Sequence, residues 1–240
     1  MTKRAIVTGA SSGIGRAICE ELLSMDYEIY GIGRDFSDAE ILLDESAFHK
    51  VELDLLDTPI LEKTIREIVK GQTLDLLVNC AGVGYYGLHE ELKPNDISEM
   101  VRINLEAPLL LTSILLRKLK ESHGTILNIA SVTANQSNPH GAAYGATKAG
   151  LLSFSRSLFD EVRKHGVKVT TILPDMTDTN LYRNADFETS KEENARLLPE
   201  DIAEAVRYIL ESDPHLVITE FTVRPQFHRI EKKRSVSDMM

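Results

Sequence analysis

Short runs rich in apolar and β-branched residues alternate with longer runs of helical period along most of the chain. The runs at 3–8, 28–33, 74–79, 125–130, 167–173 and 216–223 read as strands, with 48–53 a weaker seventh. Several are continuously apolar, which is what a parallel strand covered on both faces requires. Helical stretches fall between them at 13–25, 58–70, 95–120, 144–165 and 199–211. A β-then-α order repeated this often predicts an α/β protein with a doubly wound parallel sheet, binding its ligand at the carboxyl ends of the strands.

The 95–120 helix is apolar over more than one face, through Ile97, Met100, Leu105, Leu109, Leu110, Leu116 and their neighbours. The 144–165 helix is similarly broad, with Leu151, Leu152, Phe154, Leu158 and Phe159. One stripe covers the sheet; the surplus is met either by a thick monomeric core or by a second subunit, as in a homodimer or homotetramer.

Composition narrows the function. At 240 residues the chain suits one domain, expected over 1–230 and followed by a polar tail, 231–240. A net charge of −10 argues against a nucleic-acid surface, because phosphate binding needs a basic face. The longest apolar stretch, 107–116, is half a membrane span and contains a proline, so no membrane partner is expected. Cys19 and Cys80 form no CxxC pair and no signal peptide is evident, which reads as reduced thiols in a cytoplasmic protein. The histidines lack HxxxH or HExxH spacing, so no metal site is expected.

Directly after the first strand comes Thr8-Gly9-Ala10-Ser11-Ser12-Gly13-Ile14-Gly15. Gly9 permits a tight turn, Gly13 allows the backbone to approach a pyrophosphate, and Gly15 allows close packing of helix on strand. The helix N-terminus then offers N–H donors and its positive dipole end to phosphates. Further on, Tyr144-Gly145-Ala146-Thr147-Lys148 puts two functional groups at i and i+4, on one helix face and about 6 Å apart at Cβ. A free tyrosine, with a pKa of about 10, is a poor base at neutral pH. A nearby ammonium favours the phenolate; a fall of about 3 pH units needs roughly 4 kcal/mol.

Together these motifs resemble the short-chain dehydrogenase/reductase family, whose fold is a single Rossmann-type domain. Thr8–Gly15 is similar to its TGxxxGxG fingerprint, and Asn79-Cys80-Ala81-Gly82 to its NNAG motif. Asp54-Leu55 resembles its adenine-contacting Asp after the third strand, while Asn104, Ser131, Tyr144 and Lys148 fall where the family keeps its catalytic residues. The resemblance runs from about Lys3 to Arg224 and implies hydride transfer between a nicotinamide cofactor and a carbonyl or secondary alcohol. It implies that Tyr144 exchanges the proton, that Lys148 tunes it and holds the nicotinamide ribose, and that Ser131 donates to the substrate oxygen. It also places a water-holding asparagine at 104. Pro108 has no N–H for the Asn104 carbonyl, so the helix should kink there and leave that carbonyl free.

The remaining cofactor contacts follow from the same comparison: Gly9, Ser11, Ser12, Gly13, Ile14 and Gly15 at the phosphates, and Asp54, Leu55, Asn79, Ala81 and Gly82 along the adenosine and ribose. Pro174, Thr177 and Thr179 would hold the nicotinamide end. The second strand ends Gly33-Arg34, with no acidic residue to bind a ribose 2′-hydroxyl, and Arg34 can pair with a 2′-phosphate; NADP(H) is therefore expected over NAD(H). Asp35, next door, is the competing carboxylate.

Two positions depart from the family pattern. Cys80 replaces an asparagine, and Asp175 replaces the glycine of a Pro-Gly pair. Asp175 either binds a cationic group, caps the next helix or faces solvent. From 177 to 198 the chain is polar and weakly periodic, as expected of a lid over the substrate. Tyr85, Tyr86, Gln136, Asn138, His140, Tyr182 and Arg183 are candidate pocket residues, and their polarity leans toward a small polar carbonyl or alcohol.

Overall fold

The computed structural model describes residues 2–37, 39, 42 and 45–233. Seven strands form one parallel sheet: β1 (Lys3–Thr8), β2 (Tyr27–Gly33), β3 (Phe48–Glu52), β4 (Leu76–Asn79), β5 (Thr125–Ile129), β6 (Lys168–Pro174) and β8 (Glu220–Val223). Their order, β3-β2-β1-β4-β5-β6-β8, reverses direction between β1 and β4. That reversal opens the crevice in which such sheets bind ligands.

Side chains alternate across the sheet, so each strand feeds two cores. Ala5, Val7, Ile29, Leu76, Val78, Leu127 and Ile172 face α1 (Gly13–Ser24) and α6 (Pro199–Glu211). Ile6, Ile32, Leu77, Ile126 and Val169 face α2 (Thr58–Ile68), α4 (Ala107–Ser122) and α5 (Ala142–Val162). Full burial of one such aliphatic side chain contributes about 1.5–3 kcal/mol, and the polar residues buried in the central strands, Thr8, Asn79 and Asn128 among them, are hydrogen-bonded. The helix starts follow local chemistry. Asp57 accepts the Ile60 amide at the head of α2, and Asp201 accepts the Leu198 amide at α6, where Pro199 needs no N–H partner.

The predicted 95–120 helix is three pieces. It begins as α3 (Pro94–Val101), widens into a π-helical turn over Arg102–Glu106, and resumes as α4. The irregularity expected near Pro108 takes the form of a wide turn one residue longer than an α turn, in which the Ala107 amide donates to the Arg102 carbonyl. Pro108 falls in the first turn of α4, where a missing N–H is tolerated.

A second, two-stranded antiparallel sheet pairs β7 (Phe187–Thr189) with β9 (Ile230–Lys232). The strand crosses the boundary expected at residue 230, and Glu231 to Lys233 are bonded to the body rather than forming the start of a loose tail. The Lys233 ammonium donates to the carbonyls of Tyr182 and Arg183. The rest of the expected tail, 234–240, lies outside the described residues. No helix among the described residues is long and apolar enough to cross a membrane.

Candidate active site

Two adjoining cavities lie along the carboxyl ends of the strands, of about 790 and 940 Å³. They share the glycine turn as a common wall. Gly9 (φ +70°) and Gly13 (φ +53°) take left-handed conformations that glycine adopts without strain. A Cβ on Gly15 would stand 2.1 Å from the Gly9 carbonyl oxygen, so the helix approaches the strand only because that atom is missing. Ser12 is the N-cap of α1, yet its hydroxyl makes no capping bond and it lines both cavities. Thr8 locks the turn to the next strand, its hydroxyl accepting the Cys80 and Ala81 amides.

The first cavity brings Ser131, Tyr144 and Lys148 together with Gly9, Ser12, Gly13, Ile14, Gly15, Ala81, Gly82, Pro174, Thr177 and Thr179. Lys148 is 4% exposed. Its ammonium donates to the Ile129 carbonyl at 2.8 Å and stands 5.8 Å from the centre of the Tyr144 ring. Burial pulls it down from 10.5 to about 8. The Tyr144 phenol is equally buried, and burial pushes it above its ordinary value although the Ser131 hydroxyl hydrogen-bonded to it pulls the other way. Desolvation is the largest influence on Tyr144, ahead of the Ser131 hydrogen bond, so the phenol is held in its protonated form. Ser131 also accepts the Thr133 amide, so it serves as both turn cap and site donor.

Asn104 and Asn79 line neither cavity. Asn104 is fully buried behind the first, its side-chain amide exchanging two hydrogen bonds with the backbone of Val83 and donating to Thr147. Thr147 in turn donates to the Tyr144 carbonyl. The side chain thus braces the β4 loop against the helix that carries Tyr144. Asn79 donates to Asn128, which donates to Ser155 on α5, a brace between strands and helix rather than a cleft residue. Cys80 lines the first cavity, and burial pushes its thiol up to about 12, so it is an inert neutral group there.

The second cavity carries the remaining expected contacts: Ser11, Arg34, Asp54 and Leu55, beside Gly33, Asp35 and Ser37. Asp35 and Asp54 each accept an amide two residues on, from Ser37 and Leu56. Arg34 is exposed, its guanidinium 4.0 Å from Glu99. Among the described residues, no cluster of His, Cys, Asp or Glu fit to hold a metal occurs.

Aromatic side chains gather beside Tyr144. Tyr86 makes tilted contacts with Tyr144 at 5.5 Å and Tyr182 at 5.9 Å and meets Phe187 edge-on at 5.1 Å, an aromatic wall whose cavity-lining members are Tyr144 and Tyr182. Of the candidate residues only Tyr182 and Arg183 line a cavity; Tyr85 is turned to Glu99, Gln136 to Arg224 and Asn138 to Gly141. Asp175 neither caps a helix nor faces solvent. It is buried in the cavity wall and paired with Arg224 at 3.2 Å, with His228 at 3.8 Å. Phe187, Arg224 and His228 escaped sequence reasoning because a three-residue strand and a turn after the last sheet strand carry no periodic signal.

This fold and site define a dinucleotide-binding protein of the dehydrogenase type. A family profile described as short chain dehydrogenase matches residues 3–189. An uncharacterized oxidoreductase of Staphylococcus saprophyticus is 36% identical over 234 residues, covering 93% of this chain and 97% of that one. Carbonyl reductase family member 4 of Xenopus tropicalis is 32% identical over 88% of this chain and 92% of its own. Among solved structures, an alcohol dehydrogenase from the archaeon Thermococcus sibiricus, complexed with 5-hydroxy-NADP, superposes with a TM-score of 0.85 at 26% identity, over 95% of this chain and 98% of that one. A metagenomic short-chain oxidoreductase in complex with NADP gives 0.79 at 28%, over 94% and 98%. The chain belongs to the short chain dehydrogenase family, and it is an oxidoreductase of that family.

Proposed function

We propose that this oxidoreductase transfers a hydride between NADP(H) and a small carbonyl or secondary alcohol, with Tyr144 exchanging the proton. The observation that carries the reading is the placement of a buried phenol and a buried ammonium, one helical turn apart, in the cavity walled by the glycine turn. The glycine cradle fits a pyrophosphate, since side chains at Gly9 or Gly15 would collide with backbone. Arg34 at the far end suits a 2′-phosphate, in keeping with the NADP and NADP-analogue complexes of the neighbouring structures. Bound there, the nicotinamide supplies or accepts the hydride.

In the reducing direction the protonated Tyr144 phenol donates to the oxygen that gains charge, and the Ser131 hydroxyl stabilises that charge by a second hydrogen bond. Lys148, held by the Ile129 carbonyl, keeps a positive charge beside the phenolate that remains. Thr177 and Thr179 line the same cavity and suit the nicotinamide end, and the 177–198 segment suits a lid because it carries Tyr182 and Arg183 into the cavity wall. Half-buried Leu109, Leu110, Leu116 and Phe154 on α4 and α5 suit a dimer or tetramer formed through that face.

The test is absorbance at about 340 nm, following NADPH oxidation with a panel of aldehydes and ketones and NADP+ reduction with a panel of alcohols. Tyr144→Phe should lower kcat by about 100-fold or more while leaving NADPH affinity within a few-fold. Full turnover in that variant would remove Tyr144 from the chemistry. A protein that binds NADPH but turns over nothing in the panel would favour a sensor or scaffold on the same fold.

A further inference from the structure

Six residues line both cavities: Gly9, Ser12, Ala81, Gly82, Asn180 and Arg183. Four belong to the rigid sheet edge. The other two lie on a 3₁₀ turn, Asn180–Asn184, in the segment that follows β6. Arg183 is exposed and forms no ion pair among the described residues; one Nη donates to the Asn180 carbonyl of its own turn at 3.0 Å. A guanidinium with most of its five donors uncommitted thus stands over the seam between the two halves of the cleft, opposite the glycine turn.

We propose that Arg183 is a phosphate ligand carried by the lid, closing on the pyrophosphate of the bound dinucleotide from the side opposite the glycine turn. The inference rests on the dinucleotide reading of the cleft. The seam is where the link between the two nucleotide halves must cross. The 2′-phosphate end lies elsewhere, since Arg34, Asp35 and Ser37 line the second cavity alone. The glycine turn offers amide dipoles but no formal charge, so Arg183 supplies the cation that a pyrophosphate lacks on that side. The consequence reaches the substrate pocket. Tyr182, the neighbouring residue, forms part of the aromatic wall, and the Lys233 ammonium holds both carbonyls of this pair. A phosphate gripping Arg183 therefore fixes the turn that shapes the substrate side.

Fluorescence titration of the full-length protein with NADPH and with NADH tests this, comparing wild type with Arg183→Met and Arg183→Lys. The methionine variant should weaken both cofactors by the same factor, about tenfold or more, because both carry the pyrophosphate. Lysine should recover part of the loss. Equal affinity in wild type and Arg183→Met overturns the proposal, as does a loss confined to NADPH, which would assign Arg183 to the 2′-phosphate. A wild-type protein that binds neither cofactor would instead defeat the dinucleotide reading on which the inference stands. Unchanged circular dichroism and Tm confirm that the variants are folded, and Arg183 is exposed enough for both to meet that condition.

Discussion

Raising the pH should stabilise the wild-type protein relative to a Lys148→Met variant. Lys148 is folded into the cavity wall with one hydrogen bond to its ammonium, from which it donates to Ile129, and burial brings it from 10.5 to about 8. In the unfolded chain the same lysine titrates at about 10.4. Below pH 8 both states are charged, and folding bears the full cost of burying the ion. Above pH 8 the folded protein has released its proton while the unfolded chain still holds one, so stability rises with pH by about 1.4 kcal/mol per pH unit until the unfolded lysine also titrates. Between pH 8 and 9.5 the gain is about 1.6 kcal/mol, or roughly 3–6 °C in Tm for a chain of this size. Methionine has nothing to titrate, and the other ionisable groups are common to both proteins and cancel in the difference. Cys80, held near 12, stays a neutral thiol throughout this range. The assay is thermal or urea denaturation of both cofactor-free proteins at pH 8 and 9.5. A difference that stays constant, or moves in the variant's favour as the pH rises, would refute the claim that the fold buries this ammonium at a desolvation cost.

Three further outcomes follow from the geometry. Arg34→Asp should shift the NADPH-to-NADH ratio of kcat/KM toward NADH by about 10- to 100-fold, the worth of one charge-assisted pair, and an unmoved ratio in steady-state kinetics would take Arg34 out of cofactor selection. Gly15→Ala, whose Cβ would meet the Gly9 carbonyl, should cost about 1–3 kcal/mol in denaturation and weaken cofactor binding together. Truncation before Ile230 removes β9 and the Lys233 contacts, so limited proteolysis should cut faster within residues 180–195, while the parallel sheet keeps its circular dichroism signal.

The local chemistry of the chain was legible where it obeys a period. The 3–8 strand and the 199–211 helix fall at the predicted residues, because continuous apolar runs and a proline-started amphipathic helix carry their own boundaries. The glycine turn was equally plain, and its three glycines sit where a side chain would strain or collide. Less legible was what each site residue does. Asn79 and Asn104 carry residue types that suit a cleft, yet both spend their amides on bracing contacts, a partition that depends on partners 21 to 49 positions away. The aromatic wall was hidden for the same reason. Tyr86, Tyr144, Tyr182 and Phe187 meet only after the loop that follows β4, the helix α5 and the segment that follows β6 have converged.

What the sequence determined by itself was the inventory: a phosphate-cradling turn, a tyrosine and lysine one helical turn apart, an arginine in place of the acidic residue after the second strand. Those are short-range features, set by backbone sterics and helix spacing. Only the tertiary structure decided the protonation states and the shape of the pocket. Burial is a property of the whole fold, and it pushes the Tyr144 phenol up and brings Lys148 down to about 8, whereas i,i+4 spacing alone pointed only to a lysine acidifying its neighbour. Long-range packing likewise turned Asp175 inward onto Arg224 and paired β9 with β7.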